Sequence, residues 1–378
     1  MTIGISAFAG DGGRSGIGQY LTHVISRLPD EAPEERFVVF TTHDAVGDLG
    51  LRDPRLEIVS FPSWVEKPVV NILWHLLLLP VLLRWHGCDA VYLPAGNRRL
   101  GWWYGVPSVG TVHDLAQLQV ANKYDRWRMF YVRRLLPAFM RRLTRVISVS
   151  EATRRDLVGR AGVAADSIRL VPNGFDQSRF QTVDRARAAA RVADRWNVAG
   201  PYLLYVARIE HPGKNHVGLL EAYARLRATG IEHKLVLAGS PWSGAEVVEA
   251  TARRLGVADD VVFTGFVPND ALGDLYAAAD VFVFPSLFEG FGIPLLEAMM
   301  AGVPVCASDR ASIPEVVGDA GLLFDPDDPR AMEACIHRLV SDNKLRQRMI
   351  RAGRQRAREF TWEAAAGRVA SVLREAMA

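Results

Sequence analysis

A chain of 378 residues is too long for one small hydrophobic core and has the right length for two domains. Its composition, with 49% hydrophobic and 23% charged residues, is that of an ordinary globular protein and not of a disordered one. The formal net charge of +3 is too small to indicate a partner by itself.

The three cysteines, Cys88, Cys306 and Cys335, do not have the spacing of a metal site and lie in or beside apolar runs. We interpret them as reduced thiols of a cytosolic protein. The first ten residues contain neither the basic region nor the long apolar core of a signal peptide, so we expect no secretion signal.

The first predicted strand, Thr2–Phe8, is followed by the glycine-rich segment Gly10–Gly18 and by a predicted helix over Gln19–Arg27. A glycine loop between a strand and a helix can bring backbone N–H groups to a phosphate. The dinucleotide-binding pattern is not met, because Ser15 stands where the third glycine is required. A dehydrogenase is therefore disfavoured, and a plain tight turn remains the alternative to a phosphate loop.

The longest apolar stretch of the chain covers residues 68–83. It is short for a membrane span and contains the polar residues Asn71 and His75 as well as Pro80. We expect a buried or partly buried domain helix.

Further strands are predicted over Leu56–Phe61, Ala90–Leu93 and Ser108–Val112, and His113 and Asp114 follow the last of them directly. Polar side chains at the carboxyl end of a parallel strand point into the ligand-binding crevice of an α/β sheet. His113 is therefore a candidate catalytic residue, although a single histidine also commonly has a structural role.

A basic and aromatic stretch occupies residues 122–145, where seven arginines interleave with Trp127, Phe130, Tyr131 and Phe139. This composition suits an anionic membrane surface or a lipid diphosphate acceptor. A solvated basic face packed through its aromatic side accounts for it equally well. No nucleic-acid module is visible, and Pro137 should kink or break the helix.

Ser150, after the predicted strand Val146–Val149, suits the N-cap of a helix. The turn-rich segment Val171–Asp176 then precedes a second half, whose first strand is Tyr202–Val206. Arg208 and Lys214 follow that strand. Two cations in a loop after a buried strand indicate phosphate binding, since arginine offers a forked pair of donors and lysine a compact charge.

Two more predicted strands, Lys234–Ala238 and Val261–Phe263, lead to Ser240 and to Phe266–Val267. Later in the chain, Asp325, Asp327 and Asp328 form an acidic D-x-D segment before a predicted helix. A turn and a helix N-cap explain this segment better than a metal site does.

The most informative segment is Pro285–Ala307, preceded by the apolar strand Val281–Pro285. It predicts a strand, a glycine loop, a helix and a second strand, with Pro294 in the first helical turn and Gly302 ending the helix. Such a unit directs a helix N-terminus at an anion. The amides of Gly290–Ile293 would then face a phosphate.

Two carboxylates lie in this unit, Glu289 in the loop and Glu297 one turn into the helix. Helical side chains lean toward the helix N-terminus, so both can reach one ligand and accept hydrogen bonds from sugar hydroxyls. For either glutamate alone, a helix-capping role is the competing interpretation.

From Glu289 to Val305 the chain matches E-G-F-G-x-P-x-x-E-A-M-x-x-G-x-P-V. This string resembles the signature of the retaining glycosyltransferases of family 4, also called glycosyl transferases group 1. The resemblance covers nearly the whole chain and implies the GT-B fold, an α/β architecture of two Rossmann-like, doubly wound domains facing each other across a cleft. It implies an acceptor domain at 1–175, completed by a final helix at 361–378, and a donor domain at 176–360.

The resemblance also implies roles for individual residues. Glu289 would contact the hydroxyls of the donor sugar, Glu297 the ribose, and His113 the region of the anomeric centre and C6 hydroxyl. Arg208 and Lys214 would bind the diphosphate, and with His113 and Glu289 they form the expected catalytic set. The remaining expected donor-binding residues are Gly16, Ile17, Gly18, Ser240, Phe266, Val267, Gly290, Phe291, Gly292 and Ile293.

The implied reaction is transfer of a hexose, with retention, from a nucleotide diphosphate sugar to a hydroxyl, without metal or cofactor. Several segments look most like mannosyltransferases of bacterial surface polysaccharide and O-antigen assembly, which favours GDP-mannose as donor and a glycan or polyprenyl-diphosphate-linked acceptor. A UDP- or dTDP-sugar donor is the nearest alternative. A non-catalytic nucleotide-sugar binding subunit is the alternative of another class. The expected location is cytoplasmic, with residues 122–145 as a peripheral contact for the inner membrane.

Overall fold

A computed structural model of the chain describes residues 1–8, 15–116, 131–180 and 184–378. These residues form two compact units, Met1–Gly174 with Thr361–Ala378, and Phe175–Phe360. Residues 9–14 of the predicted glycine loop and residues 122–130 of the basic, aromatic stretch lie outside the described residues.

The first unit contains a parallel seven-stranded sheet. Its strands are β1 (Thr2–Ser6), β2 (Arg36–Thr42), β3 (Leu56–Phe61), β4 (Ala90–Leu93), β5 (Ser108–Val112), β6 (Arg145–Ser148) and β7 (Ile168–Leu170). They lie in the order β3-β2-β1-β4-β5-β6-β7. Strands β1, β4 and β5 are buried throughout, as expected for parallel strands whose two faces are both covered. The strand order changes direction at β1, where Ile3 pairs with Phe37 on one side and with Ala90 on the other.

The helices of the first unit connect and cover these strands. The α-helices are Gly16–Glu31, His43–Asp48, Pro68–Leu73, Leu79–Trp85, Leu136–Met140, Glu151–Asp156 and Trp362–Met377; π turns occupy Trp74–Leu78, Tyr131–Leu135 and Leu157–Ala161, and 3-10 turns Ser63–Glu66 and Ala165–Ser167. The Ser150 side chain accepts a hydrogen bond from the Thr153 N–H at 3.0 Å, which confirms the predicted N-cap. Pro137 lies in the first turn of Leu136–Met140, directly after a π turn.

The apolar stretch predicted as a partly buried helix is helical from Pro68 to Trp85, and a third of it is buried. Among the described residues it is the one helix long and apolar enough to cross a membrane by length and composition. His75 on its inner face hydrogen-bonds to Ser6 of β1 at 2.8 Å. The expectation of a partly buried helix is confirmed.

The C-terminal helix Trp362–Met377 lies in the first unit. The Trp362 ring stacks on His23 with centroids 5.1 Å apart. Near the other end of the helix, Glu375 pairs with Arg145 of β6 at 3.0 Å and with Arg169 of β7 at 2.8 Å. These contacts attach the helix to residues far away in the sequence.

The second unit repeats the design with a six-stranded parallel sheet. Its strands are β8 (Tyr202–Val206), β9 (Lys234–Ala238), β10 (Val261–Gly265), β11 (Val281–Phe284), β12 (Val305–Ser308) and β13 (Gly321–Phe324). Their order is β10-β9-β8-β11-β12-β13, the doubly wound order 3-2-1-4-5-6. The order reverses between β8 and β11, where such sheets bind ligands.

The α-helices of the second unit are Arg185–Trp196, His216–Ala228, Ala245–Arg254, Asn269–Ala278, Ile293–Ala301, Ile313–Val317, Pro329–Ser341 and Asn343–Ala357, with 3-10 turns at Gln177–Arg179, Ala258–Asp260 and Gly318–Ala320. Asp328 caps Pro329–Ser341, and Asp325 and Asp327 pair with Arg310 at 2.6 and 3.1 Å. The predicted turn and N-cap are therefore confirmed. In the described part of the chain, no three His, Cys, Asp or Glu side chains are grouped closely enough to hold a metal ion.

Gly174, in the turn-rich segment predicted from the sequence, lies against the start of the C-terminal helix. A Cβ atom at this position would lie 2.3 Å from the Trp362 backbone nitrogen. We expect Gly174→Ala to destabilise the first unit by about 1–3 kcal/mol, because backbone atoms cannot rotate away from the clash as a side chain can. Scanning calorimetry should show its transition lowered by roughly 2–10 °C.

Gly47→Ala is the matched control, since nothing lies within 4 Å of its Cβ position in the helix His43–Asp48. This variant should be neutral or slightly stabilising, because alanine has the higher helix propensity. Equal shifts for the two variants would contradict the proposed clash.

Candidate active site

The candidate site of the second unit lies where the strand order reverses. Arg208 and Lys214 follow β8, and Glu289 follows the adjacent strand β11. Because neighbouring parallel strands end at the same edge of a sheet, the two loops meet although Lys214 and Glu289 are 75 residues apart.

Lys214 and Glu289 form an ion pair. The Lys214 Nζ donates to the Glu289 Oε1 at 2.6 Å, and the two side chains are only 20% and 16% exposed. The sequence predicted both residues in a donor site but did not predict that they contact each other. The ammonium group of Lys214 can bind a phosphate, and the carboxylate of Glu289 can accept hydrogen bonds from hydroxyl groups of the same ligand.

Buried hydroxyl groups hold the two loops together. The Tyr205 hydroxyl donates to the backbone oxygen of Lys214 at 2.9 Å and contacts the Ser286 hydroxyl at 2.9 Å. The Leu287 N–H donates to the Gly213 oxygen at 3.0 Å. These bonds fix the loop after β8 to the loop after β11, so the position of the ion pair is set by the backbone.

Ser312 fixes the conformation of the glutamate loop from the other side. Its buried hydroxyl lies 2.9 Å from the backbone oxygen of Glu289 and 3.0 Å from that of Phe291, as a donor shared between them. Sequence analysis missed this role. The signal was the position of Ser312 just after β12, the strand next to β11.

Arg208 lies more openly than Lys214, with half of its side chain exposed. Its guanidinium is stacked 4.9 Å above the ring of Trp242 and lies 3.4 Å from the Glu210 carboxylate. Trp242 was also missed, although an exposed tryptophan shortly after a predicted strand is an available signal. The stack holds the guanidinium plane without using up its donors.

The loops after β9 and β10 carry Ser240, Phe266 and Val267. Ser240 is half-buried, and its backbone oxygen accepts from the Ile209 N–H at 3.0 Å, which joins it to the loop of Arg208. The Phe266 ring is 57% exposed and Val267 is half-buried. Strands β9 and β10 lie on the β8 side of the point where the strand order reverses. The three residues therefore lie at the carboxyl edge of the sheet, as Arg208 does.

The helix Ile293–Ala301 begins and ends as the sequence predicted. Gly292 precedes it with a φ of 103°, a left-handed conformation that favours glycine, and Gly302 ends it with a φ of 79°. Phe291, Gly292 and Ile293 are buried, while Gly290 is half-buried. The first turn of a helix presents N–H groups that lack intrahelical partners, so this segment can receive an anion.

Glu297 is buried within the second unit, with 5% exposure. The Tyr276 hydroxyl, from the helix Asn269–Ala278, donates to its Oε2 at 2.8 Å. Burial raises the pKa of Glu297 to about 7, and the hydrogen bond from Tyr276 opposes part of that rise. Its predicted contact with a ribose stays a prediction.

The first unit contributes a separate group of predicted residues. Gly16, Ile17 and Gly18 form the start of the helix Gly16–Glu31, with Ser15 as N-cap accepting from the Gly18 N–H at 3.1 Å. They lie near the reversal of strand order at β1. The predicted helix is confirmed, and donor contact by this segment stays a prediction.

His113 follows β5 and is 6% exposed. Its Nε2 lies 2.8 Å from the Pro94 backbone oxygen, which can only accept, so this nitrogen carries the proton and Nδ1 is the acceptor. Burial lowers the pKa of His113 to about 4, and the Tyr20 ring packs edge-on at 4.7 Å. The imidazole is thus neutral at physiological pH and has one fixed tautomer.

Family models match both halves of the chain. The model described as Glycosyltransferase Family 4 matches residues 14–179, and the one described as Glycosyl transferases group 1 matches residues 187–356. The chain belongs to this glycosyltransferase family. The resemblance drawn from the glutamate motif is therefore confirmed.

Two relatives of this glycosyltransferase, each 33% identical to it, align over about two thirds of their own length. The O-antigen chain mannosyltransferase B of Escherichia coli is 33% identical over 258 residues, which are 68% of this chain and 67% of that protein. The D-inositol 3-phosphate glycosyltransferase of Acidothermus cellulolyticus is 33% identical over 288 residues, 73% of this chain and 63% of that protein.

Solved structures show the same fold at low sequence identity. The Anabaena protein HepE, in complex with UDP-glucose, superposes with a TM-score of 0.77 at 20% identity, covering 99% of this chain and all of that one. Sucrose-phosphate synthase of Thermosynechococcus elongatus gives a TM-score of 0.75 at 22% identity, covering 99% and 98%. The predicted GT-B fold is confirmed.

The raised pKa of Glu297 predicts a pH dependence of stability. Between its usual value of 4.5 and about 7, the folded protein keeps the proton that the unfolded chain has lost, so stability falls as pH rises through this range. In wild type the free energy of unfolding should fall by about 3 kcal/mol over this pH range, and Glu297→Gln should abolish that fall. Urea unfolding of both proteins at several pH values from 4.5 to 8 measures the difference between their free energies of unfolding.

Tyr276→Phe is the companion variant, because it removes the hydrogen bond that favours the charged carboxylate. In this variant the fall in the free energy of unfolding should extend to higher pH. If wild type and Glu297→Gln show the same dependence of the free energy of unfolding on pH, the raised pKa of Glu297 is contradicted.

Proposed function

We propose that this glycosyltransferase moves a hexose from a nucleotide diphosphate sugar, GDP-mannose by preference, to a hydroxyl of a glycan or lipid-linked glycan in bacterial surface polysaccharide synthesis. The configuration at the anomeric carbon is retained and no metal takes part. The observation that carries the proposal is the Lys214–Glu289 ion pair at the strand-order reversal of the second unit.

Family membership and the relatives' names support the choice of mannose. Besides the O-antigen enzyme, the MMP alpha-(1->4)-mannosyltransferase of Mycolicibacterium hassiacum is 32% identical over 289 residues. The D-inositol 3-phosphate glycosyltransferase at 33% identity supports a second candidate, the same reaction with a different donor, such as a UDP- or dTDP-sugar.

Charge stabilisation of the leaving diphosphate is the main chemical requirement. In the proposal Arg208, held on Trp242, supplies forked donors, and Lys214 supplies a compact charge. The first turn of the helix Ile293–Ala301 adds N–H groups and the positive end of its dipole. These groups are held in place before the substrate binds, which is the condition for electrostatic catalysis.

The ion pair has two functions in this mechanism. Before the donor binds, Glu289 neutralises Lys214 and keeps it oriented. When the donor binds, the diphosphate shares Lys214, and the carboxylate accepts hydrogen bonds from hydroxyls of the sugar. The proposed mechanism uses none of the described residues as a covalent nucleophile. The leaving phosphate takes the proton of the acceptor hydroxyl on the same face of the sugar. Neutral His113 offers Nδ1 as a hydrogen-bond acceptor for the donor sugar.

A thermal-shift panel of GDP, UDP, dTDP and ADP, with the matching sugar nucleotides and no added metal, tests donor binding. A ligand at 100 times its dissociation constant adds about 2.7 kcal/mol of stability. We expect GDP and GDP-mannose to shift the transition and the others not to. A shift with UDP or dTDP instead would overturn the choice of donor, and no shift with any nucleotide would overturn the phosphate site.

Lys214→Ala should weaken binding of the preferred nucleotide about 10- to 100-fold, because it removes a charge-assisted hydrogen bond and leaves the Glu289 carboxylate facing the diphosphate. Lys344→Ala, at an exposed position of the helix Asn343–Ala357, is the matched control and should bind as wild type. Calorimetric titration measures both variants. Equal affinities would show that Lys214 does not contact the phosphate.

Glu289→Gln separates an enzyme from a binding subunit. Release of nucleoside diphosphate from the donor, with water as the acceptor, should fall about 10²–10³-fold, because the carboxylate no longer stabilises the transition state. Nucleotide binding should persist, since Lys214 is then freed from its ion pair. Glu249→Gln, at an exposed site, is the control. A wild type that binds nucleotide but never turns over the donor would favour the non-catalytic subunit.

Peripheral contact with an anionic inner membrane through residues 122–145 remains a proposal from composition alone. Only residues 131–145 of this stretch lie in the described part of the chain.

A further inference from the structure

The helical stretch Pro68–Trp85 exposes a continuous line of large apolar side chains. Every fourth residue belongs to it, and the exposed fractions are 71% for Val69, 50% for Leu73, 68% for Leu77, 60% for Val81 and 81% for Trp85. We call these five residues the apolar stripe. Single exposed apolar residues are ordinary on protein surfaces, but a contiguous row marks a binding surface.

The helix geometry keeps the stripe on one side. In a regular α-helix each step of four residues turns about 40° past a full turn. The π turn Trp74–Leu78 in the middle of the stretch takes more residues per turn and reduces this drift. The opposite side is buried in the core of the first unit through Trp74, Leu79 and Leu83. The stretch is thus a surface helix that is apolar on both its buried and its exposed side, and its inner face is not available to lipid.

Three exposed tryptophans lie near the helix, and we call them together with the stripe the patch. Trp64, just before the helix, is 57% exposed. A Cβ atom on Gly101 would lie 2.6 Å from the His75 backbone oxygen, so the loop with Trp102 and Trp103 lies directly beside the helix. These two rings are 46% and 67% exposed. Tryptophan is the residue type that prefers the boundary between lipid and water.

Exposed basic side chains lie beside the patch. Lys67, Arg84 and Arg98 are exposed, and the Arg142 guanidinium lies 3.7 Å above the Trp102 ring. Exposed Arg133 and Arg134 lie in the neighbouring π turn Tyr131–Leu135, which packs on Leu136–Met140. Four acidic side chains lie near the same segment, and each has a partner within the unit. Glu66 lies 4.0 Å from Arg99, Asp89 accepts from the Thr2 N–H at 2.8 Å, Glu57 pairs with His86 at 3.0 Å, and Asp44 accepts from the Ser63 hydroxyl.

We propose that the apolar stripe, together with Trp64, Trp102 and Trp103, binds the surface of an anionic phospholipid bilayer, with the helix Pro68–Trp85 lying in the interface plane. Apolar side chains on one helix face, tryptophans at its margins and basic side chains beside them are the combination that inserts to the depth of the headgroups. The exposed lysine and arginines beside the patch favour an anionic bilayer over a second copy of this chain, because the same positive charges on a second copy would repel them. The proposal is independent of the donor and reaction assigned above.

Vesicle flotation with the full chain tests this inference. Wild type should float with vesicles of phosphatidylethanolamine and phosphatidylglycerol, and much less with phosphatidylcholine alone, because the basic side chains recognise anionic headgroups. Leu77→Ser with Val81→Ser should lower the partition coefficient about tenfold or more, since two exposed apolar side chains no longer enter the bilayer.

The matched control is Leu170→Ser with Val247→Ser, two exposed apolar residues outside the patch. These variants should float as wild type does, and both pairs should keep the wild-type far-UV spectrum and nucleotide-induced thermal shift. Equal flotation of both pairs, or no flotation of the wild type, would overturn the proposal. A dimer in gel filtration that dissociates only in the Leu77→Ser/Val81→Ser variant would identify a second copy as the occupant instead. Because nucleotide binding is measured separately, failure here is distinguishable from failure of the proposed function.

Discussion

The ion pair between Lys214 and Glu289 is the contact on which the candidate site depends. Each residue is in a loop that the other loop helps to fix, through the Tyr205 hydroxyl and the Leu287–Gly213 backbone bond. A buried lysine or glutamate alone would be costly, because its charge would be desolvated without compensation. Paired, the two charges remain in a shielded position, where the proposed nucleotide sugar would meet both of them.

Burial also sets the protonation of two other candidate residues, one in each unit. His113 is held neutral and in one tautomer by the Pro94 oxygen, and the pKa of Glu297 is raised although Tyr276 donates to it. In the proposed mechanism, the fixed charges of Arg208, Lys214 and Glu289 would stabilise the diphosphate, while the two buried groups would supply oriented hydrogen bonds.

The first unit combines a packed sheet with an unusually apolar surface. The same helix that buries Trp74 and His75 against the sheet exposes Leu77 and Val81 on its other side. An amphipathic surface helix normally exposes polar residues. This helix departs from that pattern and has tryptophans and arginines beside it. The departure is the reason for proposing that this face contacts a lipid surface and not bulk water.

Local sequence determined much of the fold. Apolar runs predicted nearly all the strands, and the glycine and proline positions around 285–307 predicted the helix Ile293–Ala301 with both of its ends, because these features depend on neighbouring residues and backbone conformation. The glutamate motif was also sufficient to identify the family. Residue types alone likewise singled out Lys214, Glu289 and Glu297 as candidates.

Only the tertiary structure decided which of these residues meet. Lys214 and Glu289 are brought together by the pairing of β8 with β11, and the sequence carries no local trace of strand order. Ser312, Tyr276 and Trp242 gained their roles in the same way, from loops and helices distant in the chain. The exposed stripe could not be predicted either. The same apolar sequence is compatible with a fully buried helix and with a helix that exposes one face, and only the packing of the neighbouring elements distinguishes the two.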